Sequence, residues 1–399
     1  MNIYFDENMP FAKSFFGELG NLFPFAGRDL TAEQLVDADV LLVRSITQVN
    51  ETLLTNSPNI KFVGTATIGM DHIDQAYLNK QNISFHSAPG CNAISVSEYV
   101  VSALIILSEK YQLALTKLVV GIVGGGNTGT RLAEKLTALG IKYKICDPLL
   151  ANKQTEQKAV NSNENADDRQ YYSLNETLEC DVISLHVPKV DDGMYPTYHL
   201  LNKENLSKLS DKQILISACR GAVIDNKALL TLKQQGHGLK LVLDVWENEP
   251  NVLLPLIEYT EIATAHIAGY SLEGKSRGTE MLYEALCKQL NMPALNKLIN
   301  FLPEAEIASV QLSDDQSINE NIKLNRLIKL VYDVRRDDII FRQQLSAQGF
   351  DYLRKNYPVR REFSSLIVEN KKNIKTEKNI LEENESMLKM LYDVGFSKS

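Results

Sequence analysis

Four apolar runs in the middle of the chain end in side chains that can do chemistry. They close as His186-Val187-Pro188, Ser217-Ala218-Cys219-Arg220-Gly221, Leu243-Asp244-Val245-Trp246-Glu247-Asn248-Glu249-Pro250 and Ala265-His266-Ile267-Ala268-Gly269-Tyr270. An imidazole is largely neutral at working pH and can take a proton from a hydroxyl, which suits His266. A carboxylate on its other ring nitrogen, proposed as Glu249, fixes the tautomer and stabilises the imidazolium that forms. Arg220 offers a planar fork matched to a substrate carboxylate. The three together fit removal of hydride from a secondary alcohol next to a carboxylate. Each alone has a plainer explanation: a hydrogen-bonded structural histidine, a surface cation, a turn glutamate. Their succession at strand ends favours catalysis.

Hydride removal needs an acceptor, and the chain has a place for one. The apolar run Val119–Val123 leads into Gly124-Gly125-Gly126-Asn127-Thr128-Gly129, which satisfies G-x-G-x-x-G. Leu132, Leu136 and Leu139 follow at helical spacing and Gly140 suits a C-cap. In such a turn Gly124 permits the tight bend, Gly126 the approach of a pyrophosphate, and Gly129 close packing of helix on strand. The amides near Asn127 and Thr128 then hold the phosphates. Asp147, eighteen residues beyond Gly129, ends the next strand. An acid there accepts from both ribose hydroxyls and repels a 2′-phosphate, which favours NAD over NADP. Asp244 is a further candidate for the carboxamide or ribose side.

These residues need a parallel α/β frame. Short apolar runs alternate with helical patterns for the first 290 residues. Candidate strands are Ile3–Phe5, Val40–Val43, Phe62–Val63 and Ile83–Phe85, then a helix near 95–107. A second series runs Val119–Val123, Tyr143–Cys146, Val182–Leu185, Ile214–Ser217, Leu241–Leu243 and Ile262–Ala265. The expected fold is α/β: two Rossmann-like doubly wound parallel-sheet domains plus a mainly helical α+β C-terminal domain. The expected boundaries are 1–94 with about 269–290 for substrate, 95–268 for NAD, and 291–399 for the C-terminal domain. Residues 151–170 are polar and read as a loop insertion. Residues 369–386, mostly Lys, Glu and Asn, read as a solvated helix face or loop. Leu324, Leu327, Ile328 and Val331 form an amphipathic stripe suited to a dimer interface.

Composition narrows the partners. The 399 residues carry 42 basic and 50 acidic side chains, a formal charge of -8. That balance argues against a nucleic-acid or anionic-membrane binder, while leaving room for a small anion in a local cationic pocket. No apolar run approaches the roughly 20 residues of a membrane span. No secretory signal is visible, and the five scattered cysteines (Cys91, Cys146, Cys180, Cys219, Cys287) lack any CxxC, so no metal site and a reducing cytoplasm are expected.

The glycine run with Arg220, Glu249 and His266 resembles the D-2-hydroxyacid dehydrogenase family. Further motifs narrow the resemblance to a branch of that family acting on a phosphorylated sugar acid. They include Asp6-Glu7-Asn8-Met9-Pro10, Val43-Arg44-Ser45, Phe62-Val63-Gly64-Thr65-Ala66-Thr67, Ala88-Pro89-Gly90-Cys91-Asn92-Ala93 and Ala218-Cys219-Arg220-Gly221-Ala222-Val223. The run from His266 through Tyr270 to Lys275, and Tyr357-Pro358-Val359-Arg360-Arg361-Glu362-Phe363, complete the set. The resemblance implies an NAD-dependent oxidation within vitamin B6 biosynthesis by a homodimer joined through its C-terminal domain. It also implies that Ser45, Thr67 and Tyr270 bind substrate. Asp147, Ala218, Cys219, Arg220, Asp244 and Gly269 are implied for NAD. Val187 stands where the family often has Thr, which removes a hydroxyl contact to NAD. The rival readings are another 2-hydroxyacid dehydrogenase, of the phosphoglycerate type, and a non-catalytic NAD-sensing scaffold.

Overall fold

The computed structural model describes residues 1–159, 167–312, 319–370 and 378–398. It divides into two compact units, one of Met1–Ile94 with Tyr270–Glu304, the other of Ser95–Gly269 with Ala305–Ser399. Among the described residues no helix is long and apolar enough to cross a membrane. All five cysteines are free and buried.

The first unit is built on strands β1 (Asn2–Asp6), β2 (Asn21–Phe25), β3 (Val40–Val43), β4 (Phe62–Thr65) and β5 (Ser84–His86). They form a parallel sheet in the order β2-β1-β3-β4-β5. Strand β2 was not among the sequence candidates. Its Asn-Leu-Phe-Pro-Phe lacks apolar alternation, and Pro24 cannot donate to a ladder; the segment is tolerated as a strand because it lies at the edge. One sheet face buries Ile3, Phe5, Val40, Leu42 and Phe62 against Leu282, Tyr283, Leu286 and Cys287 of the helix Leu272–Gln289. The other face packs Leu41, Val43 and Val63 with Leu35 and Leu78. Residues 291–304, expected to begin the C-terminal domain, pack here instead. Leu298 joins the Phe15 cluster, and the Asn296 amide donates to the Ser14 and Phe15 carbonyls.

The second unit holds β6 (Val119–Val123), β7 (Lys142–Cys146), β8 (Val182–Leu185), β9 (Ile214–Ser217), β10 (Lys240–Leu243) and β11 (Ile262–Ala263). Their order is β11-β10-β9-β8-β6-β7, all parallel. The winding reverses around β6, so the crevice beyond its carboxyl end is the place for a ligand. β6, β8 and β9 match the sequence reading, and the others differ from it by one or two residues at an end.

Part of the expected 151–170 loop is helical. Pro148 opens a helix that runs to Ala159, with Asp147 Oδ1 accepting from the Leu150 amide at 3.1 Å. Proline suits a first helical position, and the Leu, Ala, Lys, Gln and Glu that follow are good helix formers despite their polarity. Residues 160–166 of that segment lie outside the described residues, and 167–170 are neither helix nor strand. Of the expectation for 369–386, residues 371–377 lie outside the described residues, 369–370 end a strand and 378–386 belong to the helix Lys378–Val394.

Residues 305–399 group with the nucleotide-type sheet. They contribute a parallel pair, β12 (Ser309–Leu312) and β13 (Ile367–Asn370), and helices Glu320–Val331, Arg335–Gln348, Phe350–Lys355 and Lys378–Val394. Of the amphipathic stripe, Leu324, Leu327 and Ile328 are buried inside the subunit, whereas Ile322 and Leu330 are exposed. Three of the four stripe residues thus pack within the subunit.

Candidate active site

The glycine run follows β6 directly. Gly124 has φ +102°, and a Cβ there would lie 2.6 Å from the His186 carbonyl oxygen. A Cβ on Gly129 would come within 2.0 Å of the Gly124 carbonyl oxygen, so the helix Asn127–Ala138 packs tightly on the turn only with glycine present. Gly126 differs. A Cβ there meets nothing within 4 Å, and as N-cap it supplies no side-chain acceptor to the helix. The amides of Asn127 and Thr128 thus begin a helix with open space before it, as a pyrophosphate requires. Asp147, at the end of β7, accepts from the Gly125 amide at 2.9 Å, which fixes its carboxylate beside this turn. These residues fit a dinucleotide.

Arg220, Glu249 and His266 follow β9, β10 and β11, three adjacent strands of one parallel sheet. Parallel strands end on the same edge, so all three residues, far apart in the chain, lie beyond that edge. The loops are also pressed together. A Cβ on Gly221 would fall 1.9 Å from the Trp246 carbonyl oxygen, which locks the Arg220 turn against the segment leading to Glu249. Ala218 and Cys219 occupy the same turn. Burial pushes the Cys219 thiol up, away from the thiolate that a nucleophile needs.

His266 and Glu249 form the central pair. Nδ1 of His266 lies 2.7 Å from Oε2 of Glu249, and both side chains remain partly exposed. The other carboxylate oxygen accepts from the Trp246 amide at 2.8 Å. Burial favours the protonated Glu249. It is outweighed by the His266 charge and hydrogen bond, the Trp246 amide and the Arg354 charge, and the carboxyl sits below its ordinary value. An anionic Glu249 accepts the Nδ1 proton and leaves Nε2 free for a substrate hydroxyl.

Asp244 has work beyond what the sequence suggested. It is 1% exposed; Oδ1 accepts from Thr264 Oγ1 at 2.6 Å and the Ile267 amide at 2.7 Å, and Oδ2 from the Ala268 amide at 2.9 Å. Its own carbonyl accepts from the His266 amide at 2.7 Å. Asp244 therefore shapes the His266–Gly269 loop, in which His266 holds φ +55°. Such a conformation in a non-glycine residue persists where neighbours enforce it.

In the first unit, Ser45 is exposed just after β3. Thr67 Oγ1 donates to the Gly69 carbonyl at 2.9 Å and lies 2.8 Å from Thr65 Oγ1, itself 2.9 Å from His72 Nε2. Tyr270 has two cations at its ring, Arg44 at 5.8 Å and Lys275 at 5.7 Å from the centroid. Sequence reasoning missed Arg44 and Lys275 as site candidates. The signal was present, since both stand in motifs beside chosen residues.

One triad elsewhere, His199, Asp225 and Glu247, has metal-ligand types within 4.8 Å. Each is already engaged: His199 Nε2 meets Glu247 at 2.7 Å, Asp225 caps a helix through the Ala228 amide, and Glu247 accepts from the Asn226 amide. It is an ordinary hydrogen-bonded cluster.

Residues 105–268 match the family model described as D-isomer specific 2-hydroxyacid dehydrogenase, NAD binding domain. Residues 301–383 match a model described only as a domain of unknown function. The chain is 65% identical over 380 residues to an erythronate-4-phosphate dehydrogenase of Colwellia psychrerythraea, covering 92% of this chain and 95% of that one. A protein of the same name from Tolumonas auensis is 51% identical, over 94% and 96%. Among solved structures, D-lactate dehydrogenase from Aquifex aeolicus, complexed with NAD and lactic acid, aligns with a TM-score of 0.57 and 27% identity. That alignment covers 73% of this chain and 96% of the other. The chain is an NAD-dependent oxidoreductase acting on a CH–OH group, and it belongs to the erythronate-4-phosphate dehydrogenases within the D-isomer specific 2-hydroxyacid dehydrogenase family.

Proposed function

We propose that the chain oxidises 4-phospho-D-erythronate to 2-oxo-3-hydroxy-4-phosphobutanoate. The observation that carries this reading is the 2.7 Å contact of His266 Nδ1 with Glu249, at the same sheet edge as Arg220 and the glycine turn. NAD, when bound, supplies the hydride acceptor for C2. His266 Nε2 takes the hydroxyl proton as the C–O bond becomes a carbonyl, and Glu249 stabilises the imidazolium. Arg220 holds the carboxylate and so orients C2. Asp147, Ala218, Cys219, Asp244 and Gly269 are assigned to the NAD side, and Ser45, Thr67 and Tyr270 to the substrate. Neutral hydroxyls suit a polyol. The named relatives support the phosphorylated substrate.

By this reading the reaction is a step of pyridoxal 5′-phosphate biosynthesis in the cytoplasm. Absorbance at the reduced-nicotinamide band, with NAD and 4-phosphoerythronate as sole additions, tests it directly. Turnover should exceed that with 3-phosphoglycerate. The opposite preference would overturn the substrate, and retained NAD binding without hydride transfer would overturn the enzyme.

We further assign the C-terminal region after residue 304 to a homodimer interface. Its support is the exposed apolar set Leu330, Ile339, Tyr352 and Val359, the last 70% exposed, which a polar solvent disfavours. Sedimentation of the full chain should give twice the 44.8 kDa subunit mass. Leu330→Asp with Val359→Asp should give the single subunit; a monomeric parent chain refutes the assignment.

A further inference from the structure

The proposed substrate carries a phosphate as well as a carboxylate, and a phosphate needs cations of its own. The first unit contains a group of residues with the opposite need. Arg44 and Lys275 converge on the Tyr270 ring, with centroid distances of 5.8 and 5.7 Å. Among the described residues neither cation has an acidic partner within ion-pair distance. Arg44 has one long hydrogen bond, 3.3 Å, to the Asn8 carbonyl.

Three effects work against Lys275 where it stands. It is partly buried. Burial, followed by the charge of Arg44, holds its ammonium down at about 8. It also lies in the first turn of the 18-residue helix Leu272–Gln289, whose positive end disfavours a cation. Glu273, the acid of the same turn, is two residues away and so points to another face. A cation on an aromatic face recovers about 0.5–1 kcal/mol. That is small against a like-charge pair under partial desolvation. A dianion in the site would offset all three penalties.

We propose that Arg44 and Lys275, gathered at Tyr270, form the seat of the substrate's phosphate group. The inference rests on the phosphorylated-substrate reading above, which it deepens by naming the residues that select the phosphate. Arg44 contributes a fork of donors and Lys275 a compact point charge.

The test is titration of inorganic phosphate into the full chain with NAD, followed by calorimetry. Lys275→Gln and Arg44→Gln should each weaken phosphate binding about tenfold or more, as loss of a charge-assisted contact does. Both should raise KM for 4-phosphoerythronate by a similar factor, with NAD affinity retained. Lys275→Arg keeps the charge and should bind phosphate, which separates loss of the cation from misfolding. Phosphate affinity unchanged in both Gln variants, in a parent chain that turns over 4-phosphoerythronate, overturns the seat alone. Phosphate binding that depends on both cations, without turnover of 4-phosphoerythronate, supports the seat and overturns the substrate reading.

Discussion

His266→Ala should lower kcat by about 10²–10⁴-fold, the usual worth of a positioned general base. The imidazole has a carboxylate behind it, 2.7 Å from Nδ1, which leaves Nε2 to face a substrate hydroxyl. NAD affinity should stay within about threefold, because the glycine turn and its helix are built independently of the ring. Exogenous imidazole should restore part of the rate. Steady-state kinetics and NAD titration check both halves. A variant within tenfold of the parent rate would remove His266 from the chemistry. Glu249→Gln should show a smaller loss, since the amide can still orient the ring but no longer balances its charge.

Arg360→Ala should destabilise the protein by about 3–5 kcal/mol, as when one partner of a buried charge group is removed. Arg360 is 2% exposed and stacks 3.7 Å from the Tyr332 centroid. Its guanidinium donates to the Ala268 carbonyl at 3.0 Å and to the Ser95 carbonyl. Around it lie Glu98, Glu362 and Lys135, all buried. Burial, opposed by Lys135 and Arg360 and reinforced by Glu362, pushes the Glu98 carboxyl up to about 7. A carboxyl raised on folding favours the folded state while it is protonated and loses that contribution as pH rises through its folded value. Without Arg360 the carboxyl rises further. The loss in Tm should therefore be larger near pH 8 than near pH 5, by the same linkage. Thermal unfolding at both values checks this, and a loss under about 1 kcal/mol, flat with pH, refutes it.

The nucleotide-type sheet was legible because each of its strands is short, apolar and bounded by turn residues. The convergence of Arg220, Glu249 and His266 was legible for the same reason, since adjacent parallel strands carry their ends to one edge. What escaped depends on other parts of the chain. Strand β2 exists because a sheet edge accepts Pro24, which no local pattern reveals. The helix after Pro148 looked like a loop because it shows too few large apolar side chains to mark a buried face. Asp244 could be proposed as a ligand, but its grip on the Ile267 and Ala268 amides follows from the turn of the backbone. Arg360 could be noticed within a motif, yet its burial is set by Ser95 and Ala268, hundreds and scores of residues away.

The chain leaves the first unit after Ile94 and returns to it only at Tyr270. The helix that covers one face of its sheet, with Leu282, Tyr283, Leu286 and Cys287, is therefore made long after the strands it protects. On the ribosome those strands wait, with Ile3, Phe5 and Phe62 uncovered, while the intervening residues are translated. At roughly 5–20 residues per second that interval lasts about ten seconds or more. Nascent chains of this protein should thus be clients for holdase chaperones early in synthesis, and a rearranged gene that begins at the 95 junction would shorten the wait.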